Sequence, residues 1–267
     1  MKNEEKVRIS QLFSRKKKMY TIAILAILAF VYVVAFLSTP FTVRSSSVST
    51  LETLRRIFIE PLINSDYYSG YLDLIGLMIE TIAIAYAGVT VATIIAVPVG
   101  FLAARNLLGP LSYLAKALLN AIRAIPELIF AIIFVASVGI GPYAGVLAIS
   151  INSVGMIGKL YAEVIESIDE EPLEAIRASG GNRIQVIWYG VLPQVLPEFV
   201  SYSLYRFEID VRASTVLGIV GAGGIGAPLI LATWQRNWEQ VGMILIVVVV
   251  FVSIIDILSG QIRKRLT

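Results

Sequence analysis

Long apolar runs separated by short polar segments dominate the chain. Residues 19–38 contain no charged residue, and residues 241–258 contain one, Asp256. Further apolar runs lie near 74–104, 118–138, 142–165 and 195–217. A bilayer core about 30 Å thick is crossed by about 20 apolar residues of helix. The pattern therefore predicts an all-α integral membrane protein with six transmembrane helices.

Composition supports this class and removes several kinds of chemistry. Hydrophobic residues make up 57% of the 267 and charged residues 15%, against about 25% charged in soluble domains. The chain has no cysteine and no histidine. Disulfides, thiolate chemistry and imidazole bases are thereby excluded, and we predict no cofactor or metal site.

The first apolar run follows the basic segment 15–18, which is also typical of a signal peptide. The run is longer than the 7–15 residues of a signal core, and no small-residue cleavage site precedes Pro40. We therefore expect a retained helix. The predicted segments are a basic cytoplasmic tail (1–18), a first transmembrane helix (19–38), an external loop (39–72), a core domain (73–260) containing a cytoplasmic segment (169–193), and a second basic tail (261–267).

The distribution of lysine and arginine predicts the orientation. Seven basic residues precede the first run, and Arg263, Lys264 and Arg265 follow the last. On a six-span map the loops carrying Arg105, Lys116, Arg177 and Arg183 lie on the same side as both tails. Cytoplasmic loops carry the excess of basic residues, so both termini are predicted to be cytoplasmic. The net charge of +3 fits a basic rim on anionic lipid and requires no nucleic acid.

The external loop contains a predicted amphipathic helix. Ser49 and Glu52 have the spacing of a capping box, and Pro61 ends the run. Apolar residues follow at helical spacing: Leu51, Leu54, Ile57 and Phe58. Two interpretations stay open: a solvated helix without a task, or a docking surface for an external partner.

A second short helix is predicted in the cytoplasmic segment after the fourth run. Pro172 suits a first helical position, and Gly180–Gly181 suit the end, which gives about two turns. Asn182, with Gln185 three residues later, predicts the cap of a further helix. Leu173 and Ile176 share one face, which we expect to seat in a groove of another protein.

This segment resembles the E-A-A-x-x-x-G…L-P signature of permease subunits of ABC importers. The matching residues are Glu174, Ala175, Gly180, Leu192 and Pro193. Ile176 replaces the usual second alanine, and Gly190 stands where isoleucine is usual. Residues 122–131 and 189–226 are similar to the phosphonate-uptake permeases in particular, and the likeness covers roughly residues 70–260.

The resemblance implies a MetI-like permease in a bacterial or archaeal inner membrane. It would pair with a second copy of itself, bind two cytoplasmic ATPase subunits and receive phosphonate from an external solute-binding protein. The short helix would be the coupling helix that contacts the ATPase through Pro172, Leu173, Glu174, Ala175, Ile176, Gly180 and Gly181. The chain itself has no phosphate loop, because Gly158-Lys159 is preceded by Ser153 where a glycine is required, so it is not expected to be an enzyme.

Charged residues within the apolar runs cannot face lipid. Spacing of four residues predicts three ion pairs, namely Arg206 with Asp210, Glu208 with Arg212, and Arg123 with Glu127. Two interpretations compete. Either the arginines contact an anionic substrate in transit, or the pairs satisfy one another and fix the rotation of the helices.

The sequence GAGGIG (residues 221–226) matches the dinucleotide-binding pattern G-x-G-x-x-G. That site needs a preceding strand and an acid about 20 residues later, and the chain offers neither. Gly221, Gly223, Gly224 and Gly226 instead predict a break and re-entry of the chain. In the resembled family this region borders the outer mouth.

Alternatives remain on the sequence alone. An ion-driven transporter needs no ATPase, and a membrane enzyme lacks candidate acids and bases outside the ion pairs. The substrate is predicted only through the resemblance, so phosphite, hypophosphite and, more distantly, methionine stay open. Pairing with a sister permease is an alternative to the homodimer.

Overall fold

The computed structural model describes residues 2–38, 50–64 and 68–266, and every regular element in these residues is helical. Residues 1–49 and 50–267 form two separate compact units. The first unit contains one helix, α1 (Lys2–Ser38). The second contains α2 (Thr50–Phe58), α3 (Glu60–Ile63), α4 (Tyr68–Ala103), α5 (Arg105–Leu108), α6 (Ser112–Ala124), α7 (Glu127–Val138), α8 (Pro142–Glu166), α9 (Glu171–Ala178), α10 (Arg183–Gln185), α11 (Leu192–Leu217), α12 (Gly226–Trp234) and α13 (Trp238–Leu266).

Four of the described helices are long and apolar enough to cross a membrane: α1, α4, α8 and α13. A fifth crossing is possible if α6 and α7, which meet at an angle of 83°, form one broken span. The break falls at Ile125 and Pro126, where proline cannot donate the helical hydrogen bond and restricts the preceding residue.

The packing of α4 on α8 shows that α6 with α7 returns along the bundle as one broken segment. A Cβ on Gly88 would lie 2.6 Å from Ile149, and one on Gly100 would lie 2.8 Å from Tyr161. In both pairs the α8 residue follows the α4 residue by the same number of positions, so the two helices run parallel. The chain must therefore return across the bundle between them, and α6 with α7 provides that return.

α11 runs in the opposite direction to α8. The Ser153 hydroxyl bonds Asp210, and the Tyr161 hydroxyl donates to the Phe199 carbonyl at 3.0 Å. α13 starts beside the start of α4, where a Cβ on Gly70 would lie 2.9 Å from Met243. Five helical segments thus run the length of the second unit, namely α4, α6 with α7, α8, α11 and α13. With α1 they correspond in sequence to the six predicted runs, although α11 is not apolar enough to count as a span among the described helices. We call the end of the bundle that carries α9 the α9 end, and the opposite end the α12 end.

The two long helices pack closely because the facing residues are small or apolar. Ala92 and Ala96 of α4 and Ala144 and Ala148 of α8 are fully buried. Small residues allow close approach of helices in membranes, where van der Waals packing and not water exclusion drives association. α11 is an exception in composition, because its four charged residues between Arg206 and Arg212 exclude it from the apolar spans.

The predicted external helix corresponds to α2, which packs against the start of α13. Gly242 of α13 lies directly against the Ile57 carbonyl, and Arg56 lies 3.7 Å from Glu239. Of the predicted apolar stripe, only Ile57 is partly covered, whereas Leu51, Leu54 and Phe58 are exposed. The predicted capping residue Ser49 lies outside the described residues.

Candidate functional site

α9 is terminated by a well-defined glycine motif. The Gly181 amide donates to the Ile176 carbonyl at 2.9 Å, and the Gly180 amide donates to the Arg177 carbonyl at 3.0 Å. This bond pair is the Schellman motif, which requires a left-handed residue after the helix. Gly180 provides it with φ of +83°. The predicted cap of the next helix is also present, since Asn182 and Gln185 exchange side-chain to backbone bonds of 2.9 and 2.8 Å.

Leu173 and Ile176 face the protein's own interior, which corrects the expectation that they seat in another protein. Leu173 is 4% exposed. A Cβ on Gly190 would lie 3.2 Å from Ile176 Cδ1 and 3.3 Å from Leu173 Cδ1. The absence of a side chain at Gly190 therefore makes the space into which both residues pack. This geometry accounts for the glycine where the resembled signature has isoleucine.

A single glutamine fixes the start of α9 to the base of α11. Gln194 Oε1 accepts the Asp169 amide at 3.1 Å, and Gln194 Nε2 donates to the Asp169 carbonyl at 3.3 Å. Asp169 Oδ1 in turn accepts the Glu171 amide at 3.1 Å. Residues 186–191, which directly precede α11, form one π-helical turn, a feature frequent at functional sites. The start of α9 is thus bonded to α11 through Gln194, and its buried face packs on the π-helical turn that leads into α11.

The opposite face of α9 is exposed and carries acidic and small residues. Its members are Glu171, Glu174, Ala175 and Ala178. The two acids lie in the first turn, where negative charge stabilises the positive end of the helix dipole. The alanines leave a low surface that a second protein can approach closely. Of the predicted coupling residues, Pro172, Glu174, Ala175 and Gly180 are exposed, and Gly181 is half-buried.

Arg206 forms a buried ion cluster that joins three helices. Its Nη2 lies 2.7 Å from Asp210 Oδ1, as predicted, and 3.5 Å from Glu127 Oε2. Ser153 Oγ lies 2.6 Å from Asp210 Oδ2, and Asn152 Nδ2 donates to Glu127 Oε2 at 3.0 Å. The cluster connects α11 to α7 and α8, and it contains two carboxylates for one guanidinium.

The structure corrects the other two predicted pairs. Glu208 pairs with Arg263 of α13 at 2.8 Å, whereas Arg212 Nε donates to the Glu208 backbone carbonyl at 3.3 Å. Glu127 turns to Arg206 and not to Arg123. The helical spacing of the latter pair is lost because the helix breaks between its members, at Ile125 and Pro126.

Two arginines are left exposed within the crossings. Arg123, at the end of α6, and Arg212, near the end of α11, are both exposed in the single chain. Among the residues that the structure describes, neither has a carboxylate within ion-pair distance. An arginine on a membrane-spanning helix is too costly to leave in lipid. We therefore expect each to avoid lipid, by facing a water-filled path or another subunit, or by reaching the membrane interface.

The glycine loop, residues 221–226, reverses the chain between α11 and α12. Gly223 and Gly224 have φ of +85° and +76°, a region that other residues rarely adopt. Glu80 Oε1 accepts the Gly224 amide at 3.2 Å, and Thr81 Oγ1 accepts the Ile225 amide at 2.8 Å. Helices flank the loop on both sides, so it is not a dinucleotide site. Glu80 lies twelve residues after the first residue of α4, Tyr68. The loop is therefore recessed by about 18 Å from the N-terminal end of that helix.

Sequence reasoning missed the residues that hold these sites from other parts of the chain. They are Glu80, Thr81, Asn152, Ser153, Gln194 and Arg263 as a partner of Glu208. Glu80 carried a usable signal, because a lone acid in an apolar run must find a donor. The others have partners between 25 and 144 positions away along the chain. Local sequence spacing cannot predict contacts over such distances.

These features define the class: a polytopic helical membrane protein with a short helix docked at one end and a recessed loop near the other. Residues 96–267 match the binding-protein-dependent transport system inner membrane component family, and the chain belongs to that family. It is thus an inner membrane component of a transport system that works with a binding protein, and a transport subunit.

Similar proteins agree with this membership. The chain is 47% identical over 200 residues to the phosphite transport system permease PtxC of Stutzerimonas stutzeri, covering 74% of this chain and 73% of that protein. It is 43% identical over 198 residues to the phosphate-import permease PhnE of Mycolicibacterium smegmatis, covering 73% of this chain and 37% of that longer protein. The inward-facing methionine ABC transporter MetNI shares the fold, with a TM-score of 0.64 at 24% identity, covering 73% of this chain and 96% of that one.

Proposed function

We propose that the chain forms the translocation pathway of an ATP-driven importer for a small phosphorus oxyanion, phosphonate or phosphite. The observation that carries the substrate class is the 47% identity to a phosphite permease. The match to the methionine transporter, at 24% identity, supports the fold alone. The phosphonate-like segments 122–131 and 189–226 agree with the same class of substrate.

α9 is the coupling helix in this proposal. Its acidic and alanine face contacts a separate ATPase subunit, while Leu173 and Gln194 hold it to α11. A helix of two turns is not stable alone, so the buried leucine and the clamp to α11 are what make α9 a stiff element. Movement of the ATPase is thereby passed to α11 and the bundle.

Arg212 and Arg123 are the anion contacts of the pathway, and Arg206 is structural. Arg206 is already engaged by Asp210 and Glu127, so its guanidinium is not available to an oxyanion. Arg212 and Arg123 are exposed guanidinium groups, which bind the oxygens of phosphorus anions in a bidentate manner. With one guanidinium group from each of these two residues, the anion is bound weakly enough to be released.

The remaining assignments follow from the charge distribution and the family. The α9 end is cytoplasmic, as the basic residues of its loops suggest, and the α12 end faces the external solute-binding protein. Two copies of the chain form the pore, each with one ATPase subunit beneath it. The recessed glycine loop, which Glu80 and Thr81 hold to α4, borders the outer mouth.

Reconstitution of the chain with its ATPase and binding protein in liposomes tests the proposal. We expect ATP-dependent uptake of radiolabelled phosphite or methylphosphonate and no uptake of methionine. Uptake driven by an ion gradient with a hydrolysis-deficient ATPase would contradict the importer assignment. Uptake of methionine alone would contradict the substrate assignment and leave the importer intact.

A further inference from the structure

A groove of about 950 Å³ opens at the α9 end, beside the coupling segment. One wall belongs to the last turns of α4 and to α5, and the other to the chain that follows α9. The walls are apolar and are formed by Pro98, Phe101, Leu102, Leu107, Val186 and Ile187. The groove is large enough for a sizeable amphipathic ligand.

The groove carries two guanidinium groups. Arg177 comes from the last turn of α9, and Arg183 begins α10, so they flank the Gly180–Gly181 turn. Both side chains are exposed, and within the described part of the chain neither forms an ion pair. Lys116, by contrast, has its charge matched by Glu166 at 2.6 Å. The positive charge of Arg177 and Arg183 is therefore available to bind an anion.

The location of the groove indicates which anion this is. Pro98, Phe101 and Leu102 belong to the final turns of the apolar span Gly70–Ala103, and Leu102 is 53% exposed. An apolar wall at the end of a membrane span, with cations next to it, matches a phospholipid lying with its chains along the wall. Basic pockets beside spans on the cytoplasmic side bind anionic headgroups.

We propose that this groove binds an anionic phospholipid of the cytoplasmic leaflet. The phosphate group is held by Arg177 and Arg183, and the acyl chains cover Phe101, Leu102 and Ile187. The lipid joins α4 to the coupling segment, so anionic lipid restrains α9 in the absence of any protein partner. This site is independent of which substrate the pathway carries.

The ATPase is the other possible occupant, and the geometry favours the lipid. The exposed acidic and alanine face of α9 contains Glu171, Glu174, Ala175 and Ala178, none of which lines the groove. Two separate surfaces of the coupling segment therefore exist, one for each occupant.

Native mass spectrometry of the full-length chain in a nonionic detergent tests the site. Phosphatidylglycerol and phosphatidylcholine with identical acyl chains are titrated, together with glycerol 3-phosphate as a free headgroup. We expect at least about tenfold preference for phosphatidylglycerol, because each basic residue contributes roughly fivefold. The free headgroup should compete poorly, since it lacks the chains that cover the wall.

Matched variants assign the preference to the groove. The double variant Arg177→Gln with Arg183→Gln should lose most of it, and Arg177→Lys with Arg183→Lys should retain most of it. Lys264→Gln with Arg265→Gln removes two charges from the same side, outside the groove, and should retain it. A photoactivatable phosphatidylglycerol on the wild-type chain should label residues 98–108 or 183–187, and this readout needs no variant to fold.

Three results would overturn the proposal outright, and two further results would assign the groove to another occupant. These are equal binding of the two lipids by the wild-type chain, a full preference in the folded glutamine variant, or photolabelling confined to other segments. If the glutamine variant loses the ATPase in a pull-down but keeps its lipid preference, the groove belongs to the ATPase. If the free headgroup binds as tightly as the lipid, the site takes a soluble phosphate compound instead.

Discussion

Arg206 and Arg212 lie six positions apart on one helix, yet their surroundings differ, and we expect different roles for them. Arg206 is 6% exposed and bound by two carboxylates, whereas Arg212 is exposed and, among the described residues, donates to a backbone carbonyl and has no carboxylate partner. Removal of one partner from a buried ion pair leaves an uncompensated charge. Removal of the charge of an exposed arginine such as Arg212 leaves no buried carboxylate without a partner and so carries no such cost.

Substitution of the two arginines by glutamine should therefore separate assembly from transport. Arg206→Gln leaves the buried Asp210 and the half-buried Glu127 without their cation, and we expect a loss of roughly 3–5 kcal/mol of stability, seen as poor assembly in detergent. Arg212→Gln should assemble normally and reduce oxyanion uptake by at least about tenfold, the value of a charged hydrogen bond. If Arg206→Gln assembles normally and only uptake falls, the structural role of Arg206 is wrong.

A second residue-scale prediction concerns Glu208 and Arg263, which tie α11 to α13. Glu208 is 5% exposed, so Arg263→Gln should destabilise the protein by leaving the carboxylate without its ion-pair partner. Adding Glu208→Gln should recover much of that loss, because a neutral pair is cheaper to bury. Thermal unfolding of the two single variants and the double variant measures the coupling. Additive losses would show that the 2.8 Å contact contributes nothing.

At the scale of elements, α9 depends on the space at Gly190. Gly190→Leu would drive a side chain into Leu173 and Ile176, at a cost of about 1–3 kcal/mol, and displace α9 from α11. We expect a folded permease whose ATPase activity no longer responds to the loaded binding protein. Gly76→Leu is the matched control, because a Cβ there meets nothing within 4 Å. Normal coupling in the Gly190 variant would mean that α9 need not be held by this contact.

The sequence predicted the elements better than their contacts. The helix at residues 171–178, its glycine end and the Asn182 cap depend on neighbouring residues, so local spacing was sufficient to find them. The pairing of Arg123 with Glu127 failed because helical spacing assumes an unbroken helix, and Pro126 breaks it. Leu173 was placed on the outer face because periodicity shows that two residues share a face, but not which surface that face meets.

Long-range partners were beyond reach for the same reason. Nothing between residues 80 and 224 indicates that Glu80 accepts the Gly224 amide, because the contact depends on where the recessed loop returns. The pairing of Glu208 with Arg263 requires the register of α11 on α13. Such registers are set by packing of small residues over the whole bundle, as in the α4–α8 interface, and not by any local pattern.

At the scale of the molecule, α11 links the two candidate functional ends. Gln194 at its start binds the segment that leads into α9, and at its other end the Thr215 carbonyl and Gly218 lie against Gly226, the last residue of the glycine loop. The helix has 26 residues and is about 39 Å long. A displacement of α9 is therefore expected to reach the glycine loop through one continuous helix, with the Arg206 cluster as its contact to α7 and α8.

This arrangement requires that α9 and α12 lie on opposite sides of the membrane, and the chain is well suited to test it because it has no cysteine. Single cysteines at Ala178, on the exposed face of α9, and at Gln235, directly after α12, provide one reporter for each end.

A membrane-impermeant maleimide added to intact cells should label Gln235→Cys and not Ala178→Cys. Opened membranes should allow labelling of both, which controls for reactivity of the α9 site. Labelling of both variants in intact cells would contradict an odd number of crossings between α9 and α12. It would mean that α11 does not cross the membrane but enters and leaves on one side. The proposed mechanical route from α9 to the glycine loop along α11 would then not exist.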